Sequence, residues 1–535
     1  MSRPSHSFPP LGPNLRALMV WPRFPPSFWG FEGMLEMMPE RSMMPPLGLI
    51  TVAALCPPAW HIRLVDGAFE QVRDEDLLWA DLVMVSAMHA QLEDTQAVLS
   101  RARALGRRTF VGGPWASTEP DAALAEADHV LVGEAEDVFP DIAAALEKGT
   151  AGRLYRVSER PEMTRSPVPR YDLLRLGEYA QMPVQFSRGC PFECDFCDII
   201  AIYGRRPRVK TSAQVVQELD TLRRLGWHRN VNFIDDNFIG NGPAALGLAR
   251  HLTAWQERHR YPFAFSTEAS LDLADRPELL AAMVAANFLY VFIGIETPAA
   301  AALKECQKYQ NLRGDNLEQV RRIQQSGLWV SAGFIVGFDS DDETIFERQR
   351  EFIERAAIAW SMTGLLQAPP TTPLYDRLKR EGRLLEDIPK TSNFSPPNFR
   401  TILPLPILLG GLASLLAGLY QAEPFFKRAF RSLQLWRPGA MQRPSRISFF
   451  WGVRVLLASL WTQGVRSHYR RHYWRFLWLI MWNWTGQPVK LWAAFMVLLS
   501  AHHFLNYSRL VEAGLEEACR GVEQEAQSQS AACRA

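Results

Sequence analysis

Cysteine is scarce. Seven residues, Cys56, Cys190, Cys194, Cys197, Cys306, Cys519 and Cys533, are spread unevenly over 535 positions, which excludes a disulfide-stapled scaffold. Low-complexity tracts, internal repeats and collagen-like composition are also missing, which excludes fibrous and repeat architectures. The N-terminus carries Pro9, Pro10 and Pro13 before a short apolar run at 15–21. It lacks the apolar core of a secretory signal, so cytoplasmic residence is expected. Acid is absent where base is dense: from Pro424 to Val511 there are thirteen Lys or Arg and no Asp or Glu. With totals of 58 basic and 57 acidic residues, the other parts of the chain carry 45 against 57, a net of −12. This asymmetry points to an anionic partner for the C-terminal region.

What is present is ordinary in bulk and unusual in one loop. The 47% hydrophobic content is that of a globular protein, and the length suits two to four domains. Ser187-Arg-Gly-Cys-Pro-Phe-Glu-Cys-Asp-Phe-Cys197 places Cys190, Cys194 and Cys197 within eight residues. Three thiolates at this spacing can hold three irons of a four-iron cluster and leave the fourth open to a bound molecule. Zinc is the competing metal, but a closed zinc site needs four ligands and no fourth Cys or His follows before His228. The other four cysteines read as buried or incidental thiols.

Around this loop the chain alternates strands and helices. Apolar runs at 15–21, 62–65, 82–86, 109–112 and 130–133 read as buried parallel strands of a doubly wound domain over residues 1–150. Ser86, Gly112, Gly113, Gly133 and Glu134 fall at the strand ends where such sheets bind ligands. A Pro- and Arg-rich linker is expected over 151–180. From 181 to 390, strands at 184–186, 231–234, 263–266, 290–295, 330–336 and 362–367 alternate with helices, giving a partial (βα)6 barrel. Its functional edge gathers the cysteine loop, Asp235, Asp236, Glu268, Ser270, Glu296, Gly333 and Gly337.

Taken together these features resemble the cobalamin-dependent, or class B, branch of the radical SAM enzymes, over about residues 14–390. Pro45-Pro-Leu-Gly-Leu49, Gly112-Gly-Pro114, Gly133-Glu134, Phe233-Ile-Asp-Asp-Asn-Phe238 and Gly294-Ile-Glu296 carry the likeness beside the Cys-x3-Cys-x2-Cys loop. The resemblance implies a [4Fe–4S] cluster on Cys190, Cys194 and Cys197, S-adenosylmethionine on the open iron, and cobalamin on the N-terminal domain. It implies that Phe196 and the strand Gly333–Gly337 meet the adenine. Asp235, Asp236, Glu268, Ser270 and Glu296 become candidates for the amino group and ribose hydroxyls. Ser86, Gly112, Gly113, Gly133 and Glu134 become candidates for cobalamin. The implied chemistry is hydrogen abstraction by a 5′-deoxyadenosyl radical, then methylation of the carbon from methylcobalamin, with an external electron donor. A radical cyclase, oxidase or rearrangement enzyme without methyl transfer is the alternative. The third reading is a membrane-associated binding protein with a structural metal. The Asp-x-His-x-x-Gly string whose His ligates cobalt in methionine synthase-type domains is absent, which implies cobalt with no protein His below it; His89, after the third strand, is the alternative ligand, though a lone loop His is commonly solvated.

Residues 391–535 read as helical, basic and Trp-rich. Eight of the seventeen Trp lie between 436 and 492. The uncharged run 401–422 is long enough to raise a membrane span, but Pro404, Pro406 and Gly410-Gly411 favour a buried or interfacial helix. A basic, aromatic surface suits an anionic membrane; a helical cap packed on the barrel is the other reading, and nucleic acid is not expected. This extension resembles the domain of unknown function in the branch that includes hopanoid C-2 methylases, which implies a small-molecule or lipid substrate.

Overall fold

The computed structural model describes residues 8–385 and 394–532. The expected boundary at 390/391 and Cys533 lie outside the described residues. Two compact units emerge, and neither follows the chain without interruption: Met44–Cys190 and Ile199–Trp227 group with the N-terminal 25 residues, whereas Pro26–Met43, Pro191–Asp198 and His228–Ala535 form the second unit.

The first unit is built on a six-stranded parallel sheet. Its strands are β1 (Arg16–Trp21), β2 (His61–Asp66), β3 (Leu82–Ser86), β4 (Arg108–Gly112), β5 (His129–Val132) and β6 (Leu154–Arg156), in the order β2-β1-β3-β4-β5-β6. Near-continuous apolar runs such as Leu82-Val-Met-Val are buried on both faces because helices cover both sides. β6 corrects the linker reading. Leu154-Tyr-Arg pairs parallel with β5, yet three residues are too few to show strand alternation. The unit also holds β7 (Gln181–Val184) and the short antiparallel pair β8 (Ser187–Arg188) and β9 (Arg208–Val209). The first barrel strand therefore ends before Phe186, because the chain turns off after Val184 to reach the cysteine loop.

In the second unit, β10 (Asn230–Phe233), β11 (Ala264–Ala269), β12 (Phe288–Glu296), β13 (Trp329–Val336) and β14 (Ser361–Leu365) pair in sequence order, all parallel. Helix Gly242–Arg258 fills the crossover after β10, between two strands that dominate the local sequence pattern. Its local signals are clear: Asn241 caps it by accepting from the Ala244 N–H at 3.3 Å, and Pro243 sits in the first turn.

Beyond the strands come α1 (Leu405–Tyr420), α2 (Ala422–Leu435), α3 (Phe449–Ser459), α4 (Arg470–Trp484) and α5 (Pro488–Ala532). α1 buries Leu408, Leu409, Leu412, Leu415, Leu416 and Leu419 within this unit, so the uncharged run is a packed helix. By length and composition α5 over Pro488–Val522 passes as a membrane span, as do α1 and α2 taken together across their 63° bend. Most of α5's apolar window is buried in the protein, as in a core helix. The excursion Pro26–Met43 joins this unit by chemistry as well. Glu40, fully buried, is clasped by Arg229 and accepts from the Trp451 indole N–H at 2.9 Å.

Candidate functional site

The cysteine loop begins under strong local constraint. A Cβ on Gly189 would stand 2.8 Å from the Gly204 carbonyl oxygen and 3.0 Å from that of Arg206, so only glycine lets the chain pass there. The next residue, Cys190, donates its N–H to the Gly204 carbonyl at 3.2 Å. Just before it, Arg188 donates to Glu134 at 2.7 Å and pairs with Glu136 at 2.7 Å, while Arg208 grips the same Glu134 carboxylate at 2.6 and 3.0 Å. All four side chains are largely buried. The glutamate after β5, expected at cobalamin, is thus committed to two guanidiniums, and its visible task is to hold the strand pair β8–β9 that carries the loop.

Cys194 and Cys197 continue the loop in the second unit. Cys194 is buried, and burial pushes its thiol up while the Lys308 ammonium opposes the shift. Gln310 Nε2 lies 3.7 Å from its sulfur. Cys197 is half-buried, and its N–H donates to the Cys194 carbonyl at 3.2 Å. None of the three is in a disulfide. Among the described residues no three His, Cys, Asp or Glu side chains converge as they would around one ion. A four-iron cluster takes one thiolate per iron at separate corners, and Cys190, Cys194 and Cys197, none of them in a disulfide, offer three such donors. Cys306 is a buried thiol whose carbonyl accepts from Asp195 N–H at 3.1 Å.

Along the parallel sheet the strand ends deliver the expected polar groups. Asp235 is buried and Asp236 half-buried after β10. Glu268, near the end of β11, keeps solvent-accessible surface. Desolvation by neighbouring protein atoms, then repulsion from Asp236 and Asp235, pushes its carboxyl up to about 7. Ser270 is tied up: it donates to Asp272, receives an N–H from Asn237 at 3.1 Å, and Arg276 closes the chain on Asp272 at 2.6 Å. Glu296 ends β12 at φ 65°, a conformation that strains a non-glycine residue, and is ion-paired with buried Lys308. A Cβ at Gly294 would strike both partners.

The fifth expected strand, β13, has its glycines where space demands them. A Cβ on Gly333 would meet the Phe292 ring at 2.9 Å. Gly337 turns at φ +106°, and its N–H and that of Phe338 both donate to Asp341 at 2.9 and 3.1 Å. Phe196 stands 6.3 Å from Phe338, ring to ring.

In the first unit, Ser86, Gly112, Gly113 and Gly133 end β3, β4 and β5 together. Ser117 ties the turns: its hydroxyl donates to the Gly113 carbonyl at 2.9 Å and accepts from Gly133 N–H at 3.1 Å. Nothing lies within 4 Å of a Cβ built on Gly112, so this edge has room for a ligand against the backbone. His89 instead sits 3.3 Å from both Thr118 and Glu119. Sequence reasoning missed Ser117, Lys308, Gln310 and Arg188. The polar string Gln307–Asn311 after β12 was the one available signal.

Fold and loop together define a class: a radical SAM protein with a B12-binding domain. Residues 184–352 match the Radical SAM superfamily, 41–143 the B12 binding domain and 372–517 a domain of unknown function, DUF4070. An uncharacterised methyltransferase of Synechocystis is 42% identical over 85% of this chain and 85% of its own. A hopanoid C-2 methylase of Rhodopseudomonas palustris is 36% identical over 93% of this chain and 94% of its own. The chain therefore belongs to the family of cobalamin-dependent radical SAM methyltransferases. The fold agrees: the cobalamin-dependent S-adenosylmethionine radical enzyme OxsB, solved with aqua-cobalamin and S-adenosylmethionine, superposes with a TM-score of 0.59 at 15% identity, covering 94% of this chain and 81% of OxsB.

Proposed function

We propose that this enzyme methylates an unactivated carbon of a lipid polycycle of the hopanoid kind. The observation that carries the reading is the likeness to the hopanoid C-2 methylase along nearly the whole of both chains, the C-terminal region included. When bound, the cluster and S-adenosylmethionine supply a radical that removes hydrogen from carbon, and cobalamin supplies the methyl group. The protein's part is placement. Cys190, Cys194 and Cys197 would hold the cluster, with Gln310 and Lys308 beside Cys194. Asp235, Asp236, Glu268 and Glu296 offer acceptors for an amino group and ribose hydroxyls; Phe196, Gly333 and Gly337 would face the adenine. Ser86, Gly112, Gly113 and Gly133 would line cobalamin, with Ser117 holding their turns. Ser270 and Glu134 serve these sites by positioning. A lipid substrate also makes contact with the inner membrane face sensible for a cytoplasmic enzyme.

The test is anaerobic turnover with methyl-deuterated S-adenosylmethionine, an external reductant and polycyclic lipid extract, read by mass spectrometry. Labelled lipid is expected from the parent protein and none from Cys194→Ala. Deoxyadenosine released without label in any lipid would overturn methyl transfer in favour of a cyclase, oxidase or rearrangement enzyme.

A further inference from the structure

The hydrophobic side chains left outside the core are not scattered. Among the described residues, thirteen of the twenty-two exposed large hydrophobics lie between Met441 and Trp482. Single exposed apolar residues are normal on a soluble surface, but a contiguous group marks an interaction site.

Eleven of the thirteen lie on α3, the π-helical stretch after it and α4. Helix α3 runs into a wide π-helical turn at Leu460–Arg466, and α4 folds back on it. The Ser459 and Tyr473 hydroxyls meet at 3.1 Å, and the Trp474 indole N–H donates to the Gly464 carbonyl at 2.9 Å. The inner face of α4, Tyr473, Phe476, Ile480 and Trp484, is buried. Its outer face is also apolar: Trp478 is 60% and Trp482 76% exposed, their rings stacked at 5.6 Å. On α3, Phe449 and Phe450 are 79% and 83% exposed, with Leu457 on the same outward side two turns on. A helix of a water-exposed surface turns its polar face outward; this hairpin turns out aromatics.

The polar groups among these aromatics are cationic. Arg454, Arg466, Arg470, Arg471 and Arg475 are all exposed, in a stretch of chain holding no Asp or Glu to neutralise them. Tryptophan with arginine is the pairing that suits the boundary between lipid headgroups and acyl chains. Length and charge argue against crossing: α4 has 15 residues, fewer than the roughly 20 a span needs, and α3 with its 7-residue π-helical continuation is barely long enough and carries Arg454 and Arg466. Three of the arginines stand in the first two turns of α4, where a span would have to bury them.

We infer that the α3–α4 hairpin lies in the plane of an anionic bilayer, its aromatic face set into the headgroup layer and its arginines on lipid phosphates. The inference rests on the lipid-substrate reading for its purpose, but on exposure and charge for its evidence.

The experiment uses the full-length protein floated with phosphatidylcholine vesicles, with and without phosphatidylglycerol. The parent is expected to float with the anionic vesicles and shift its Trp emission to the blue. Two double variants, Phe449→Ser with Phe450→Ser and Trp478→Ser with Trp482→Ser, remove outward side chains only, so their melting should match the parent. Each is expected to lower the vesicle-bound fraction about tenfold, as removal of the inserted apolar area demands. Arg471→Glu with Arg475→Glu should abolish the preference for anionic lipid. Parent protein that stays with the pellet, or variants that float equally well, would overturn the inference. So would light scattering that shows a dimer broken by the aromatic variants, since the face would then cover a second copy. Turnover of detergent-dispersed lipid separates the two readings. Methylation without flotation removes only the docking, and flotation without methylation removes only the substrate.

Discussion

At the scale of single residues, Glu268 and Glu134 show two fates of a carboxylate at a strand end. Glu268 is held up to about 7, against an ordinary 4.5, by its surroundings and by Asp236 and Asp235. The folded protein keeps this proton where the unfolded chain has released it, so stability falls as pH rises from about 4.5 toward 7 and stays lower above. Glu268→Gln is expected to melt above the parent at pH 8 and with it at pH 4, by scanning calorimetry of the apo-protein. A bound ammonium would reverse the sign of the shift, so S-adenosylmethionine uptake near pH 7 should release protons, detectable as a buffer-dependent binding heat. Glu134 has no such freedom. Its removal as Glu134→Ala leaves Arg208 buried without its anion and Arg188 with Glu136 alone, and the expected loss is about 3–5 kcal/mol by denaturant titration. The three cysteines stood out in the sequence because their spacing is local. Ser117, Lys308 and Gln310 did not, because a lone hydroxyl, ammonium or amide acquires its role only from what folds beside it.

At the scale of elements, the paired glycines of α1 do different things. A Cβ on Gly411 would stand 2.1 Å from the Phe346 ring, whereas nothing lies within 4 Å of one on Gly410. Gly411→Ala is therefore expected to cost about 1–3 kcal/mol by overpacking. Gly410→Ala should be neutral or stabilising by up to about 1 kcal/mol through helix propensity. Thermal melts of the two variants check this. The reading of 401–422 as packed or interfacial came from its prolines and glycines, and α1 is packed. Strands β1 to β5 and β10 to β14 were legible because doubly covered strands are continuous apolar runs. β6 and helix Gly242–Arg258 are less legible, the first because it is short. The second has a cap and apolar spacing at Ala245, Leu248, Ala249 and Leu252 but lies between two stronger strand signals.

At the scale of the whole molecule, a net charge of +1 conceals thirteen cations gathered in one acid-free stretch. If lipid phosphates are their partners, raising salt from 0.1 to 0.5 M should weaken vesicle binding by shortening the Debye length. It should not abolish binding, because insertion of aromatics is insensitive to screening. Flotation across a salt series reads both components.

The sequence by itself determined the class of chemistry, the positions of most parallel strands and the charge segregation, since each is written in neighbouring residues. Only the tertiary structure decided that Pro26–Met43 belongs with the C-terminal helices, that Glu134 is spent on two arginines, and that the tryptophans of α4 divide between core and surface. These outcomes depend on contacts between residues tens to hundreds of positions apart, and burial energy is settled by what such contacts remove from water.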